Sequence, residues 1–226
     1  MNKTIAIIPA RGGSKRLLNK NILALGGIPL LVHSIQYAQA NSAIIDAIYV
    51  STDDTAIKEI ALQYGAQVID RPSSISGDLE PTISCLQHAL SVLDDSIENV
   101  ILLQPTNPLR PEHLLKDCFE KFQNTNCDSL FTVSPNLHKL GKIVGEKFQP
   151  FNYEIGQRSQ DLEPLYFENG LLYISKTSSI KQGKIITEDA FPYVVNHLFA
   201  KVDIDTQDDF DFAQLLYQFS KDENNF

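Results

Sequence analysis

The chain is poor in cysteine. Cys85, Cys118 and Cys127 are odd in number and form no Cys-x-x-Cys pair. That excludes a disulfide framework and a paired-thiolate metal site, and leaves free or buried thiols in a reducing cytoplasm. Long apolar runs are also missing, and none approaches the roughly 20 residues that span a bilayer. The opening apolar run is short and is followed by basic residues, not by a small-residue cleavage site, so it does not read as a signal peptide. Internal repeats are absent. So are the Walker spacing and the Gly-x-Gly-x-x-Gly fingerprint. With a pI near 5.0 the chain is not a general nucleic-acid binder. At 226 residues it supports one domain, 1–226, with a full core.

Acid is also missing where it matters. Residues 1–45 hold Lys3, Arg11, Lys15, Arg16 and Lys20 and no acid before Asp46, so this segment is +5 in a chain of net −9 and the remainder is −14. Such a local reversal suits a polyphosphate pocket better than a solvated face. Within it, Ile5–Ile8 is an unbroken, largely β-branched run that reads as a strand buried on both faces. Pro9 stops the strand. A loop follows with Gly12-Gly13, then Lys15, Arg16, Lys20 and Asn21. Glycines let backbone N–H groups approach a phosphate closely, and the basic residues supply charge around it. Open α/β sheets bind nucleotides at the carboxyl end of a strand in this way, although the same pattern also fits an ordinary turn.

Strands and helices then alternate. Residues 29–40 read as a helix with Pro29 in its first turn, and His33 on it is a surface or packing residue. Ala47–Ser51 is a strand. Thr52 and Asp53 cap a helix whose Ile57, Ile60, Ala61 and Tyr64 share one face, and Gly65 closes it. Further strands are expected at 67–70, 99–103, 129–133 and 170–175, with helices near 82–93, 111–122 and 207–219. The pattern predicts an α/β fold, an open and mostly parallel sheet flanked by helices. Residues 136–165 have little period and read as a protruding arm or lid. An alternating run covers 193–200, and only 221–226 reads as frayed.

Asp203 and Asp205 stand one residue apart at an expected strand end. A period of two turns both carboxylates to the same side, as a hard divalent cation needs; one of them as a plain helix cap is the other reading. Thr206 is the natural cap of the last helix. Asp208, Asp209 and Asp211 are first-turn acids favoured by the helix dipole. Arg71, before Pro72, reads by itself as a turn residue.

The first loop, Leu103-Gln-Pro-Thr-Asn-Pro-Leu-Arg110 and Val202-Asp-Ile-Asp-Thr206, in that order, resemble the CMP-sialic acid synthetase family (acylneuraminate cytidylyltransferases). The resemblance covers nearly the whole chain. It implies a Rossmann-like nucleotidyltransferase fold, a dimerisation arm at about 136–165 and a homodimer. It also implies that Arg11, Ser14, Lys15 and Lys20, with backbone groups of Gly12 and Gly13, meet the triphosphate of CTP. Asn21 would contact the ribose and Arg71 the cytosine. Gln104, Thr106, Asn169, Lys142 and Arg158 would hold the sugar acid, with Phe191 and Tyr193 as walls or core aromatics. Asp203 and Asp205 would hold Mg²⁺, and Arg11, Lys20 and Asp205 would be the catalytic set. Arg16, Leu17 and Leu18 stand where the family usually has Gly and Pro.

The implied reaction is transfer of CMP from CTP to the anomeric hydroxyl of a nonulosonic acid, N-acetylneuraminate or legionaminate, in the cytoplasm. Pseudaminate or 3-deoxy-manno-octulosonate is the alternative acceptor. A non-catalytic nucleotide-binding protein is the alternative from another class, and it has no need of the Asp-x-Asp pair.

Overall fold

The computed structural model describes residues 3–94 and 96–223. In chain order the strands and helices begin with β1 (Lys3–Pro9), β2 (Ala24–Leu25), β3 (Ile28–Pro29), α1 (Leu30–Ala40), β4 (Ala47–Thr52), α2 (Thr55–Gln63) and β5 (Gln67–Asp70). Then come α3 (Thr82–Val92), β6 (Ile97–Leu102), α4 (Leu114–Thr125) and β7 (Ser129–Asn136). The rest are β8 (Gly141–Val144), β9 (Lys147–Pro150), β10 (Leu165–Lys176), α5 (Thr177–Lys181), β11 (Phe191–Val194) and α6 (Gln207–Glu223).

Seven strands form the main sheet in the order β11-β7-β10-β6-β1-β4-β5. All are parallel except β10, which runs antiparallel to both β6 and β7. The central strands show why an unbroken apolar run was needed. Along β1, Ala6 and Ile8 join a cluster with α1, α2 and α4, while Ile5 and Ile7 join another with α3 and α5. Val100 and Leu102 of β6 likewise face the second cluster, and Ile101 faces the first. A strand with helices over both faces buries every residue, whatever its parity.

A third cluster sits at the carboxyl edge of the sheet. Leu17, Leu25 and Leu30 pack there with Leu109, Val202, Ile204, Phe210 and Ala213. Leu17 is therefore an anchor: it pins the glycine loop against α6, while Leu18 beside it is exposed. The unusual Arg16-Leu17-Leu18 run keeps its charge outside and gives the loop a hydrophobic foot.

Several sequence expectations need adjustment. The α2 cap is Asp54, whose Oδ1 accepts from the Ile57 N–H at 3.0 Å, not Thr52 or Asp53. Val202–Thr206 is extended but is not part of the sheet. It still alternates, with Val202 and Ile204 buried and both aspartates outward, because the Ile204 N–H donates to the Thr106 carbonyl at 2.8 Å. The alternating run at 193–200 is a strand only to Val194 and then turns at 198–201. Residues 136–165 contain a separate two-stranded hairpin, β8–β9. Helix α6 extends to Glu223, so Lys221 is helical, and 224–226 lie outside the described residues.

Candidate active site

The loop between β1 and the turn at Lys20–Ile22 is held from below by acids. The Gly12 N–H donates to Asp53 Oδ1 at 2.9 Å. A Cβ on Gly12 would come within 2.9 Å of Asp54 Oδ2, so only glycine lets the loop settle on the start of α2. Asn21 is buried, and its Nδ2 donates to the Arg11 carbonyl at 2.9 Å, closing the loop on itself.

A cleft of about 670 Å³ opens at this edge and brings together Arg11, Ser14, Lys20, Asn21, Arg71, Gln104 and Thr106. Arg71 is no ordinary turn residue. It is buried, with Nε donating to Ser51 Oγ at 3.1 Å and Nη2 to the Ser51 carbonyl at 2.7 Å. The end of β4 therefore aims its guanidinium along the cleft wall. Burial beside it pushes the Cys85 thiol up.

A second, basic cleft of about 870 Å³ adjoins the first and is lined by Lys15, Arg16, Asp78 and Asp205, with Arg11, Ser14 and Lys20 shared between the two. Its cations are paired. Asp78 grips Arg11 at 2.6 Å and Lys15 at 2.5 Å. Asp205 grips Lys20 at 2.7 Å and Arg16 at 3.2 Å. Lys15 and then Arg11 hold the Asp78 carboxyl below the usual carboxylate range.

The Asp-x-Asp pair lies on a divide. Asp205 faces the basic cleft, and Asp203 faces a broader cleft of about 1240 Å³ with Glu168, Asn169 and Lys201. Asp203 sits at the surface, yet enough protein surrounds it that lost hydration raises its carboxyl, against the Thr106 hydroxyl and with the charge of Asp205. Among the described residues no three His, Cys, Asp or Glu side chains cluster as a metal cage. Two outward carboxylates fit a cation that keeps several waters and takes its other ligands from phosphate, which is the habit of Mg²⁺.

The β6–α4 loop fixes both sides of this divide through two residues the sequence reading left without a role. Asn107 is buried and donates through Nδ2 to the Val202 carbonyl at 2.7 Å and the Asn169 carbonyl at 3.1 Å. A Cβ at Gly170, which has a φ of +74°, would fall 2.7 Å from Asn107 Oδ1. Arg110 is buried and has no carboxylate partner among the described residues. It donates to the carbonyls of Leu171 at 2.7 Å and Gln104 at 2.8 Å and to Ser34 Oγ at 3.1 Å, with Tyr37 below its plane. Desolvation brings its pKa down to about 10. Both side chains lie in the quoted motif, but nothing in a sequence says that they point inward.

The remaining expected sugar contacts are placed differently. Asn169 is buried, and its side chain is used internally by Thr132, Ser134 and the Leu171 N–H. Tyr173 donates to Glu168 Oε1 at 2.5 Å beside it, and burial raises its hydroxyl pKa. Lys142 lies on β8, over the Phe151 ring, and the guanidinium of Arg158 is held by both oxygens of Asp161. Neither lines the three clefts above. Phe191 and Tyr193 pack at the rim of the first core cluster.

A Cytidylyltransferase family profile matches residues 5–225. The chain belongs to that family. It is 35% identical over 216 residues to an N-acylneuraminate cytidylyltransferase of Streptococcus agalactiae, covering 92% of this chain and 52% of the relative. The chain thus spans about half the length of that relative. It is 33% identical to a pseudaminic acid cytidylyltransferase of Campylobacter jejuni, over 96% of this chain and 97% of the other. It is 31% identical to a CMP-N,N'-diacetyllegionaminic acid synthase of Legionella pneumophila, over 97% and 98%. A solved CMP:2-keto-3-deoxy-manno-octonic acid synthetase complexed with CTP shares the fold, with a TM-score of 0.73 at 16% identity over 97% of this chain and 100% of that one. In this member of the family the basic loop, the Arg71 wall and Asp205 line two adjoining clefts at one edge of the sheet.

Proposed function

We propose that the chain transfers CMP from CTP to the anomeric hydroxyl of a nonulosonic acid, with N-acetylneuraminate or legionaminate as acceptor. The observation that carries this reading is the single cleft containing Arg11, Ser14, Lys20, Asn21 and Arg71 together with Gln104 and Thr106. A nucleotide and an acceptor would meet there, with Asp205 in the adjoining basic cleft. The acceptor hydroxyl gives up its proton to solvent, its oxygen forms a bond to the α-phosphorus, and the bond from that phosphorus to the bridging oxygen of the β-phosphate breaks, so pyrophosphate leaves. Arg11, Lys15 and Lys20 neutralise the phosphate chain, and Arg71, fixed by Ser51, addresses the base. Gln104 and Thr106 orient the acceptor. Asp203 and Asp205 would hold Mg²⁺, which, when bound, neutralises charge on the phosphate oxygens.

Homodimerisation belongs to the same proposal. The 136–165 arm exposes Leu137, Ile143, Phe148, Phe151 and Ile155, apolar surface that a second copy would cover. Lys142 and Arg158 on that arm would then contribute to the partner's acceptor site. Three buried free thiols suit a reducing cytoplasm. No described helix is long and apolar enough to cross a membrane.

One observation favours pseudaminate as a second reading: the Ser14-Lys15-Arg16 run, seen in that branch, alongside a match over nearly the full length of the Campylobacter relative. The test is pyrophosphate release with CTP and Mg²⁺ and each of N-acetylneuraminate, legionaminate and pseudaminate. Release with one sugar alone fixes reaction and acceptor together. Silence with all three while CTP binds would point to an octulosonate. Silence without CTP binding would sink the cleft as a nucleotide site.

A further inference from the structure

Asp78 reaches the glycine loop from the opposite side of the cleft. It lies in the turn that follows β5, 67 residues away from Arg11, and delivers one oxygen to Arg11 and the other to Lys15. Two cations bridged by one anionic group, oxygen to nitrogen at 2.6 and 2.5 Å, is the arrangement a phosphate would make with the same pair. Asp78 is also part of the basic cleft's wall, so a phosphate chain lying across Arg11 and Lys15 meets the carboxylate as a like-charged competitor for the same two cations.

We infer that Asp78 is a built-in competitor for the polyphosphate: its carboxylate holds Arg11 and Lys15 when the cleft is empty, yields them to a bound phosphate chain, and retakes them as pyrophosphate leaves. The inference rests on the cytidylyl-transfer reading for the identity of the anion, and on the geometry for the exchange. Two carboxylates grip all four cations of the loop, and Asp205 has a second duty toward Mg²⁺ in that reading. Asp78 has none. An anion that leaves Asp78 in place must share both cations with a like charge, and one that displaces it loses the ion pairs already made. Either way the pocket binds polyphosphate less tightly than its charge alone would allow. A weaker hold on the product favours release, the step that often limits turnover in well-evolved enzymes.

The experiment compares the full chain with Asp78→Asn and with Glu80→Gln. Glu80 lines the neighbouring cleft and makes no ion pair among the described residues, so its variant removes the same charge two residues away without freeing a cation. Calorimetry measures inorganic pyrophosphate binding without metal, and product-inhibition kinetics with CTP run alongside. Asp78→Asn is expected to bind pyrophosphate roughly three- to tenfold more tightly, the loss of two partly screened ion pairs as competitors, and to be inhibited by it correspondingly sooner. Glu80→Gln should stay within about twofold, as the loss of a nearby charge that holds neither Arg11 nor Lys15 would give. Weaker or unchanged binding in Asp78→Asn would mean that the carboxylate merely positions the cations, and overturns the inference. An equal gain in Glu80→Gln overturns it too, because bulk charge would explain both. If Asp78→Asn tightens pyrophosphate binding while CTP is never turned over, the competitor stands and the cytidylyl reading falls.

Discussion

Asn107 holds Val202: its Nδ2 donates to that carbonyl at 2.7 Å, and the same amide nitrogen reaches the Asn169 carbonyl at 3.1 Å. One buried side chain therefore ties three segments that are far apart in sequence, the Gln-Pro-Thr-Asn loop, the Glu-Asn-Gly bend of β10 and the run leading into the Asp-x-Asp pair. The bend fits because Gly170 has no Cβ to meet Asn107.

Replacing Asn107 by alanine leaves two buried carbonyls without their donor and a small void. Each orphaned carbonyl costs the desolvation it no longer recovers, so the fold should lose about 2–4 kcal/mol in urea denaturation. Turnover at saturating CTP should fall as the aspartate pair loosens. A loss below about 0.5 kcal/mol, the range of an ordinary surface change, would show that Asn107 does not join the segments.

Much of this architecture was legible beforehand, for physical reasons. Strands buried on both faces, such as Ile5–Ile8, announce themselves by composition. Helices such as α2 announce themselves by period and by closing glycine. The charge reversal over residues 1–45 pointed to the glycine-loop edge, where the structure gathers Arg11, Lys15, Arg16 and Lys20 along one cleft. What could not be read was inward direction in loops. Arg110 and Asn107 have the same polarity as solvent-exposed residues, and only the packed structure shows that they are buried. The cap of α2 went to Asp54 and not Asp53 because the Gly12 N–H claims the Asp53 carboxylate, a contact across 41 residues. Asp203 and Asp205 both turn away from the core, as a period of two demands, but they line different clefts, and it is Thr106 and the third core cluster that hold the chain there, not a strand partner.

His33 joins α1 to the C-terminal helix. Its Nε2 lies 3.0 Å from the Leu25 carbonyl, and its ring meets Tyr217 edge-on at 5.8 Å. Burial lowers its pKa below the ordinary 6.5. As the pH falls through the window below 6.5, the unfolded chain therefore takes up the proton first, and stability falls with it. The His33→Gln variant has no such proton to bind. Melting temperatures measured from pH 7 to pH 5 should drop more for the parent chain than for the variant. Parallel curves would remove His33 from the acid limb of stability.

Arg110 should not tolerate lysine. Its three nitrogens serve the Leu171 carbonyl, Ser34 Oγ and the Gln104 carbonyl from one plane, stacked on Tyr37. A single ammonium cannot reach all three, and it would be a more strongly hydrated ion in the same dry site. Arg110→Lys is expected to cost about 2–4 kcal/mol of stability and to raise the KM for the acceptor more than that for CTP, since it is the Gln104 carbonyl that swings free. Equal changes in both constants would locate the damage in the fold as a whole.

Lys20 and Asp205 hold each other at 2.7 Å, with the lysine mostly enclosed. If Lys20 turns to a phosphate when CTP enters, Lys20→Ala should weaken CTP binding by about 2–3 kcal/mol, the worth of a charged hydrogen bond in a partly closed site. Asp205→Ala works in the opposite sense. It releases both Lys20 and Arg16, so CTP binding measured without metal should survive and even tighten, while pyrophosphate release in the presence of Mg²⁺ is abolished. The two variants together separate the roles. Turnover unchanged in Asp205→Ala would take that carboxylate out of the proposed metal site. Unchanged CTP affinity in Lys20→Ala would mean that the lysine serves Asp205 alone, and the glycine loop would then bind phosphate through Arg11, Lys15 and its backbone.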